Sequence, residues 1–299
     1  MIIVITGPTC SSKSKIAIEV AKKYNGEIIN ADAFQVYKKL NIGTAKPNKK
    51  DFEEIPHHLY DYVEPNVKYS IFNYQKDARN CIEKLMKKNK NIILVGGSGL
   101  YIRSVIYDFK FSNKKNVDLS HFEKMDNETL FQELKKIDLE TSKKIHINNR
   151  RRLLRAISIF LENNISKSDL EKMQKHKLIY KNIYIFSINI DRNKLYEKIK
   201  KRVIDMVNNG LFQEARKLGK EYNHELNSLK AIGYKEIINN PNLNDNEIVK
   251  LIQKNTCHYA KKQISFIKHQ YQNTNVIYVK NTKEIINFID KNENFQNKQ

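Results

Sequence analysis

The chain has 299 residues, 40% of them hydrophobic, with 54 Lys or Arg against 33 Asp or Glu and a formal net charge of +21. That length and apolar content exclude a disordered chain and suit one large α/β domain with a smaller appendage. The charge attracts polyanions, nucleic acid first, although an AT-rich coding sequence, with its many Lys, Asn and Ile codons, produces part of the same excess.

The chain opens on Met-Ile-Ile-Val-Ile-Thr-Gly, a β-strand entering a glycine turn, and lacks the basic start and cleavage site of a signal peptide. Cys10, Cys81 and Cys257 lie far apart without metal-ligand spacing, so neither a disulfide framework nor a zinc site is expected. No apolar run approaches the roughly 20 residues that span a bilayer. A soluble, cytoplasmic protein with no membrane contact is the expectation.

Short β-branched runs at 2–6, 27–30, 91–95, 182–190 and 276–279 alternate with charged helical stretches. Apolar strands of this kind predict a parallel sheet with helices on both faces, a P-loop NTPase-like α/β fold. The strand rhythm lapses over 109–181, which reads as a helical insertion, so the core comprises 1–108 and 182–299. An amphipathic helix is expected from Arg192 to about Asn209, stopped by Gly210. The polar tail 291–299 is expected to fray.

Binding residues belong at the carboxyl ends of the strands, where doubly wound sheets open their crevice. After the first strand, Gly7, Pro8, Thr9, Cys10, Ser11, Ser12, Lys13 and Ser14 form a turn into a helix that aims backbone amides and a lysine at phosphate. The Ser14 hydroxyl is placed to ligate Mg²⁺. A Walker loop has Gly before its lysine; here Ser12 stands there, strained by on the order of 1 kcal/mol if that position needs a positive φ.

A P-loop ATPase places a carboxylate at the end of a central strand, but 91–95 runs into Gly96-Gly97-Ser98-Gly99-Leu100-Tyr101. That weakens ATP hydrolysis and leaves Ser98 either as a hydroxyl for phosphate or acceptor, or within a glycine turn that serves packing. After the second strand, Asp32 is either a general base facing the crevice or a helix N-cap.

These motifs, with Gln35-Val36-Tyr37, Ile42-Gly43-Thr44-Ala45-Lys46-Pro47, Pro56-His57-His58-Leu59 and Ala231-Ile232-Gly233-Tyr234-Lys235-Glu236, resemble the bacterial tRNA dimethylallyltransferase (isopentenyl-tRNA transferase) family, in order and as far as about Lys268. The resemblance implies transfer of a dimethylallyl group from dimethylallyl diphosphate to N6 of the adenosine 3′-adjacent to the anticodon, in tRNAs reading codons that begin with U. It implies Mg²⁺ as cofactor, the anticodon stem-loop as partner, and a monomer. Catalysis would fall to Asp32 as base, to Ser98 and to Arg202, which otherwise reads as a solvated helix charge.

The resemblance also assigns tRNA contact to Asp32, Ala33, Phe34, Gln35 and Ser98, and to Arg151, Arg152 and Arg155 in the insertion. Gln35 has an amide suited to a base edge. Phe34 offers a stacking face or a core side chain. Arg152 and Arg155 share a helix face. The chain departs from the family in having Lys262 for the usual Arg and Phe266 for the usual Trp. A P-loop small-molecule kinase is the alternative, and it leaves the arginine segment and Asp32–Gln35 unexplained as a set.

Overall fold

The structure, a computed structural model, describes residues 1–109, 111, 117–173, 177–271 and 275–296. It divides into two compact units, Met1–Ile106 with Tyr180–Gln299, and Tyr107–Ile179.

The first unit begins β1 (Ile2–Thr6), α1 (Lys13–Lys23), β2 (Gly26–Asn30), α2 (Lys49–Glu54), β3 (His57–His58), α3 (Ile71–Lys87), β4 (Asn91–Val95) and α4 (Gly99–Ile106). The second unit carries α5 (Ser120–Glu123), α6 (Asn127–Ile137), α7 (Leu139–Ser142), α8 (Arg150–Asn163) and α9 (Lys167–Met173). The first unit resumes with β5 (Ile183–Ile188), α10 (Arg192–Asn208), α11 (Leu211–Glu221), α12 (Tyr234–Ile238), α13 (Asp245–Gln270), β6 (Val276–Val279) and α14 (Thr282–Gln296).

The six strands form one parallel sheet in the order β3-β2-β4-β1-β5-β6, bearing out the expected fold class. Every β1 side chain is buried, which is why that strand reads as an unbroken apolar run. Ile3, Ile5, Ile28, Ile93 and Phe186 pack against Ile16, Ala17 and Val20 of α1 and Ile285 and Ile289 of α14. The two-residue strand period turns Val4, Ile29, Ile92 and Leu94 to the other face. A second core joins Val36, Tyr37 and Leu40 to Val203, Leu211, Phe212, Tyr234 and Ile252 on the helices between β5 and β6.

Two details differ from the expectation. The edge strand β3 is too short to show a pattern in the sequence. Helix α14 runs to Gln296 through part of the polar tail, because Ile285 and Ile289, one turn apart and fully buried, anchor it to the sheet; residues 297–299 lie outside the described residues. In the second unit, Leu130 and Leu134 of α6 pack on Leu153, Ala156 and Ile157 of α8. Among the described residues no helix is long and apolar enough to cross a membrane.

Candidate active site

The contiguous order β2-β4-β1 brings three strand ends together. The β1–α1 turn is the most constrained of the three. Cys10 (φ 61°) and Ser12 (φ 65°) both occupy the left-handed region, at a cost on the order of 1 kcal/mol each, and the turn thereby wraps its amides around the start of α1. Lys13 Nζ donates to Pro8 O at 2.7 Å across the turn. Burial, then the Arg202 charge, lower the Lys13 ammonium to about 8, against opposing pulls from Asp32 and Cys10. Ser11 Oγ is buried and, among the described residues, has no hydrogen-bond partner.

After β2, the fully buried Asn30 holds the next residues by their backbone. Its Oδ1 accepts from Asp32 N (2.8 Å), and its Nδ2 donates to Asp32 O (3.1 Å) and Leu59 O (2.9 Å). Tyr74, stacked on Tyr101, donates to Asn30 O at 2.7 Å. Asp32 Oδ1 accepts from Phe34 N (2.9 Å) and Gln35 N (3.4 Å). Its other oxygen takes no hydrogen bond among the described residues. The expected helix N-cap is not what forms: residues 33–36 are a turn and the next helix is α2 at Lys49, so Oδ1 fastens that turn and leaves the second carboxylate oxygen unengaged. Gln35 Nε2 donates to Thr44 O (2.9 Å) and Ala45 O (3.1 Å).

After β4, Gly96 lies directly on Ala31: a Cβ there would sit 2.1 Å from Ala31 O. Ser98 N donates to Ala31 O (3.1 Å) and Ser98 Oγ accepts from Ala33 N (3.0 Å), so the glycine turn supports the Asp32 segment from behind. Gln263 of α13 joins the remaining loops, its Oε1 accepting from Thr9 N (2.8 Å) and its Nε2 donating to Gly97 O (3.0 Å). Tyr259, one turn earlier on α13, lies near Asp32, and burial followed by that carboxylate pushes its hydroxyl well above the usual tyrosine value.

Two adjoining cavities result, of about 360 Å³ and 330 Å³. The first is polar at its base, where Ser11, Ser12, Lys13, Ser14 and Lys198 surround it. The second has a more apolar wall, including Phe34, Ile199, Val203, Met206 and Ile232, with Lys230, Lys235 and Lys262. Thr9, Asp32, Thr44, Arg202 and Tyr259 line both. In the second unit, Arg151 and Arg152 are exposed on α8, whereas Arg155 Nη1 is held by Glu162 Oε1 (2.8 Å) and Ser158 Oγ (3.0 Å).

The IPP transferase family model matches residues 35–270, a span holding most of both cavity walls. The chain belongs to the IPP transferase family. Among curated relatives of this IPP transferase, the tRNA dimethylallyltransferase of Anoxybacillus flavithermus is 37% identical, covering 99% of this chain and 98% of its own. The enzyme of the same name from Thermoanaerobacter sp. is 40% identical over 89% of this chain and 88% of its own. The crystal structure of tRNA delta(2)-isopentenylpyrophosphate transferase from Staphylococcus epidermidis superposes with a TM-score of 0.71 at 34% identity, over 99% of both chains. A eukaryotic dimethylallyltransferase captured acting on tRNA gives 0.81 at 27% identity, over 89% of this chain and 69% of that one.

Of the residues singled out from the sequence, this IPP transferase gathers Thr9 to Ser14, Asp32, Gln35 and Arg202 on the first cavity and Phe34 on the second. Gly7, Pro8, Ala33 and Ser98 stand behind those walls. Sequence reasoning missed Lys198, Tyr259 and Gln263 as wall residues. The signal was helical spacing: Lys198 lies one turn before Arg202, and Tyr259 and Gln263 are one turn apart.

Proposed function

We propose that this IPP transferase moves the dimethylallyl group of dimethylallyl diphosphate onto N6 of an adenosine in the anticodon loop of tRNA, next to the anticodon on its 3′ side. The observation that carries this reading is Asp32, standing with one unengaged carboxylate oxygen on the wall common to a cationic, phosphate-suited cavity and a second, more apolar one. The end of β4 carries no carboxylate of the kind that orients a metal in P-loop ATPases, which argues against a kinase.

The diphosphate suits the first cavity. The α1 N-terminus directs amides there, Lys13, Lys198 and Arg202 supply positive charge, and a phosphate oxygen would give the buried Ser11 Oγ the partner it lacks. As N6 attacks C1, the C1–O bond breaks with its electron pair going to the departing diphosphate, and Asp32 takes the N6 proton. Donors already in place meet the developing phosphate charge.

The residues fit Mg²⁺. Among the described residues no cluster of three His, Cys, Asp or Glu forms an all-protein metal cage, and Mg²⁺ characteristically keeps water and substrate-phosphate ligands beside one or two protein oxygens. Ser14 would supply such an oxygen, and the bound ion would neutralise the leaving diphosphate.

Reaching an anticodon-loop base requires unstacking it. Phe34 and Gln35 would meet the base, and Arg151, Arg152 and Arg155 would grip phosphates. The reading takes the enzyme to be a cytoplasmic monomer, one chain to one tRNA. The test is nucleoside mass analysis of unmodified tRNA after incubation with protein, Mg²⁺ and dimethylallyl diphosphate without ATP. A gain of one isopentenyl unit on adenosine is expected; no gain, or an absolute need for ATP, refutes the proposal. Asp32→Ala should slow turnover by a larger factor than it weakens tRNA binding.

A further inference from the structure

Gln35 reaches the first cavity with its amide already committed. Two carbonyl oxygens, Thr44 O and Ala45 O, receive its Nε2, and a carbonyl needs a donor, so this pairing fixes which end of the amide is the NH₂. The hydrogen-bonding capacity left to Gln35 is that of Oε1, an acceptor.

What holds Thr44 and Ala45 in place lies outside the cavity walls. Residues 41–46 form a tight turn in which Ala45 N donates to Ile42 O (2.9 Å), Lys46 N to Asn41 O (3.1 Å) and Thr44 Oγ1 to Leu40 O (2.6 Å). Ala45 sits at φ 47°, in the left-handed region, so the turn depends on outside support. Glu214 of α11 supplies it: Oε1 accepts from Ile42 N (2.9 Å) and Gly43 N (3.4 Å), and Oε2 from Asn41 N (3.3 Å). Tyr234, fully buried at the start of α12, donates to Glu214 Oε1 at 2.5 Å and accepts from Gly43 N at 3.1 Å. The fit admits only glycine at 43, where a Cβ would lie 2.4 Å from Tyr234 Cε2.

We propose that Glu214 and Tyr234 are positioning residues that hold the 41–46 turn so that Gln35 offers the acceptor base a carbonyl oxygen and withholds its NH₂. This rests on the reading that the acceptor is adenosine. An amide oxygen in that place accepts from the exocyclic amine of adenine and repels the O6 of a 6-oxopurine, giving base selectivity at the reacting atom. Neither Glu214 nor Tyr234 touches the substrate; both act through the turn.

The experiment measures binding of two anticodon stem-loops by fluorescence anisotropy, one with adenosine and one with inosine at the acceptor position. Wild type is expected to prefer adenosine about tenfold. Tyr234→Phe, which keeps the ring that fills the core, and Glu214→Gln are each expected to bring the ratio to within about twofold of one, because a released Gln35 amide turns its NH₂ toward O6. Gln35→Ala should remove the preference too, and Tyr234→Phe should then add nothing to it, as residues acting through one contact require. An unchanged ratio in Tyr234→Phe and Glu214→Gln, with only thermal stability lowered, overturns the proposal by making the pair merely structural. A wild-type ratio near one, in protein that prenylates tRNA, overturns it by removing Gln35 as reader. Failure of wild type to prenylate tRNA at all counts against the proposed function instead.

Discussion

The lowered Lys13 ammonium gives the enzyme an alkaline limit that is open to measurement. Burial and the Arg202 charge set its pKa at about 8 in the free protein, and kcat/KM reports the free enzyme. If only the charged form captures dimethylallyl diphosphate, kcat/KM for that substrate falls about tenfold between about pH 7 and pH 9, approaching one decade per pH unit above that. The tyrosines on the cavity do not contribute a competing limb, since burial pushes Tyr60 and Tyr259 well above their usual range. Folding shifts the opposite way. The unfolded lysine titrates near 10.4, so between about pH 8 and 10.4 the unfolded chain binds the proton that the folded chain has released. Stability contributed by this group therefore rises with pH across that window. The assay is initial rates at tRNA well below its KM and varied diphosphate, so that the free enzyme is reported, in wild type and Lys13→Arg, whose guanidinium stays charged throughout. Arg at this position is expected to lower activity at every pH while abolishing the limb. A flat wild-type profile to pH 9.5, or an unchanged limb in Lys13→Arg, would refute the assignment.

Gly96→Ala should destabilise the protein by about 3 kcal/mol, the upper end for overpacking, because its Cβ meets Ala31 backbone at 2.1 Å; urea unfolding measures this, and a loss below about 1 kcal/mol contradicts the packing. Asn30→Ala removes three side-chain hydrogen bonds around Asp32 and should cost on the order of 3 kcal/mol, with Asn30→Asp no better because its carboxylate would face Asp32 O and Leu59 O; the same unfolding experiment decides it. Arg152→Ala should weaken tRNA binding and reduce the salt slope by about one. Arg155→Ala should do so as well while removing the ion pair that Arg155 makes with Glu162, and salt titrations of binding in which neither slope changes would exclude α8 from the interface.

Most of the sheet was legible because parallel strands covered on both faces carry unbroken apolar runs, as 2–5 and 92–95 show. Strand His57–His58 was not, since two polar residues pairing at an edge leave no periodic trace. The β1–α1 turn was legible through Lys13 and Ser14, and the strain expected of Ser12 is present at φ 65°. Its companion at Cys10 left no mark, because the sequence does not say which turn residue turns left-handed. For Asp32 the helix N-cap expected as one alternative did not form, because the chain turns at 33–36 without starting a helix; one carboxylate oxygen accepts from Phe34 N and Gln35 N in that turn while the other stays unengaged.

The hidden features that bear most on the site are contacts made across more than a hundred residues of sequence. Gln263 joins Thr9 to Gly97, and Glu214 and Tyr234 hold the 41–46 turn. All three come from helices that also fill the core, where a Gln, Glu or Tyr at helical spacing reads as an ordinary amphipathic residue. Their polar atoms nevertheless end on backbone amides and carbonyls of the loops that carry the cavity walls. The two strained turns, one with left-handed Cys10 and Ser12 and the other with left-handed Ala45, persist only if their surroundings over-determine them. The distant helices supply that constraint. The local motifs thus mark where the chemistry belongs, and the helices after β5 keep those motifs in the geometry the chemistry needs.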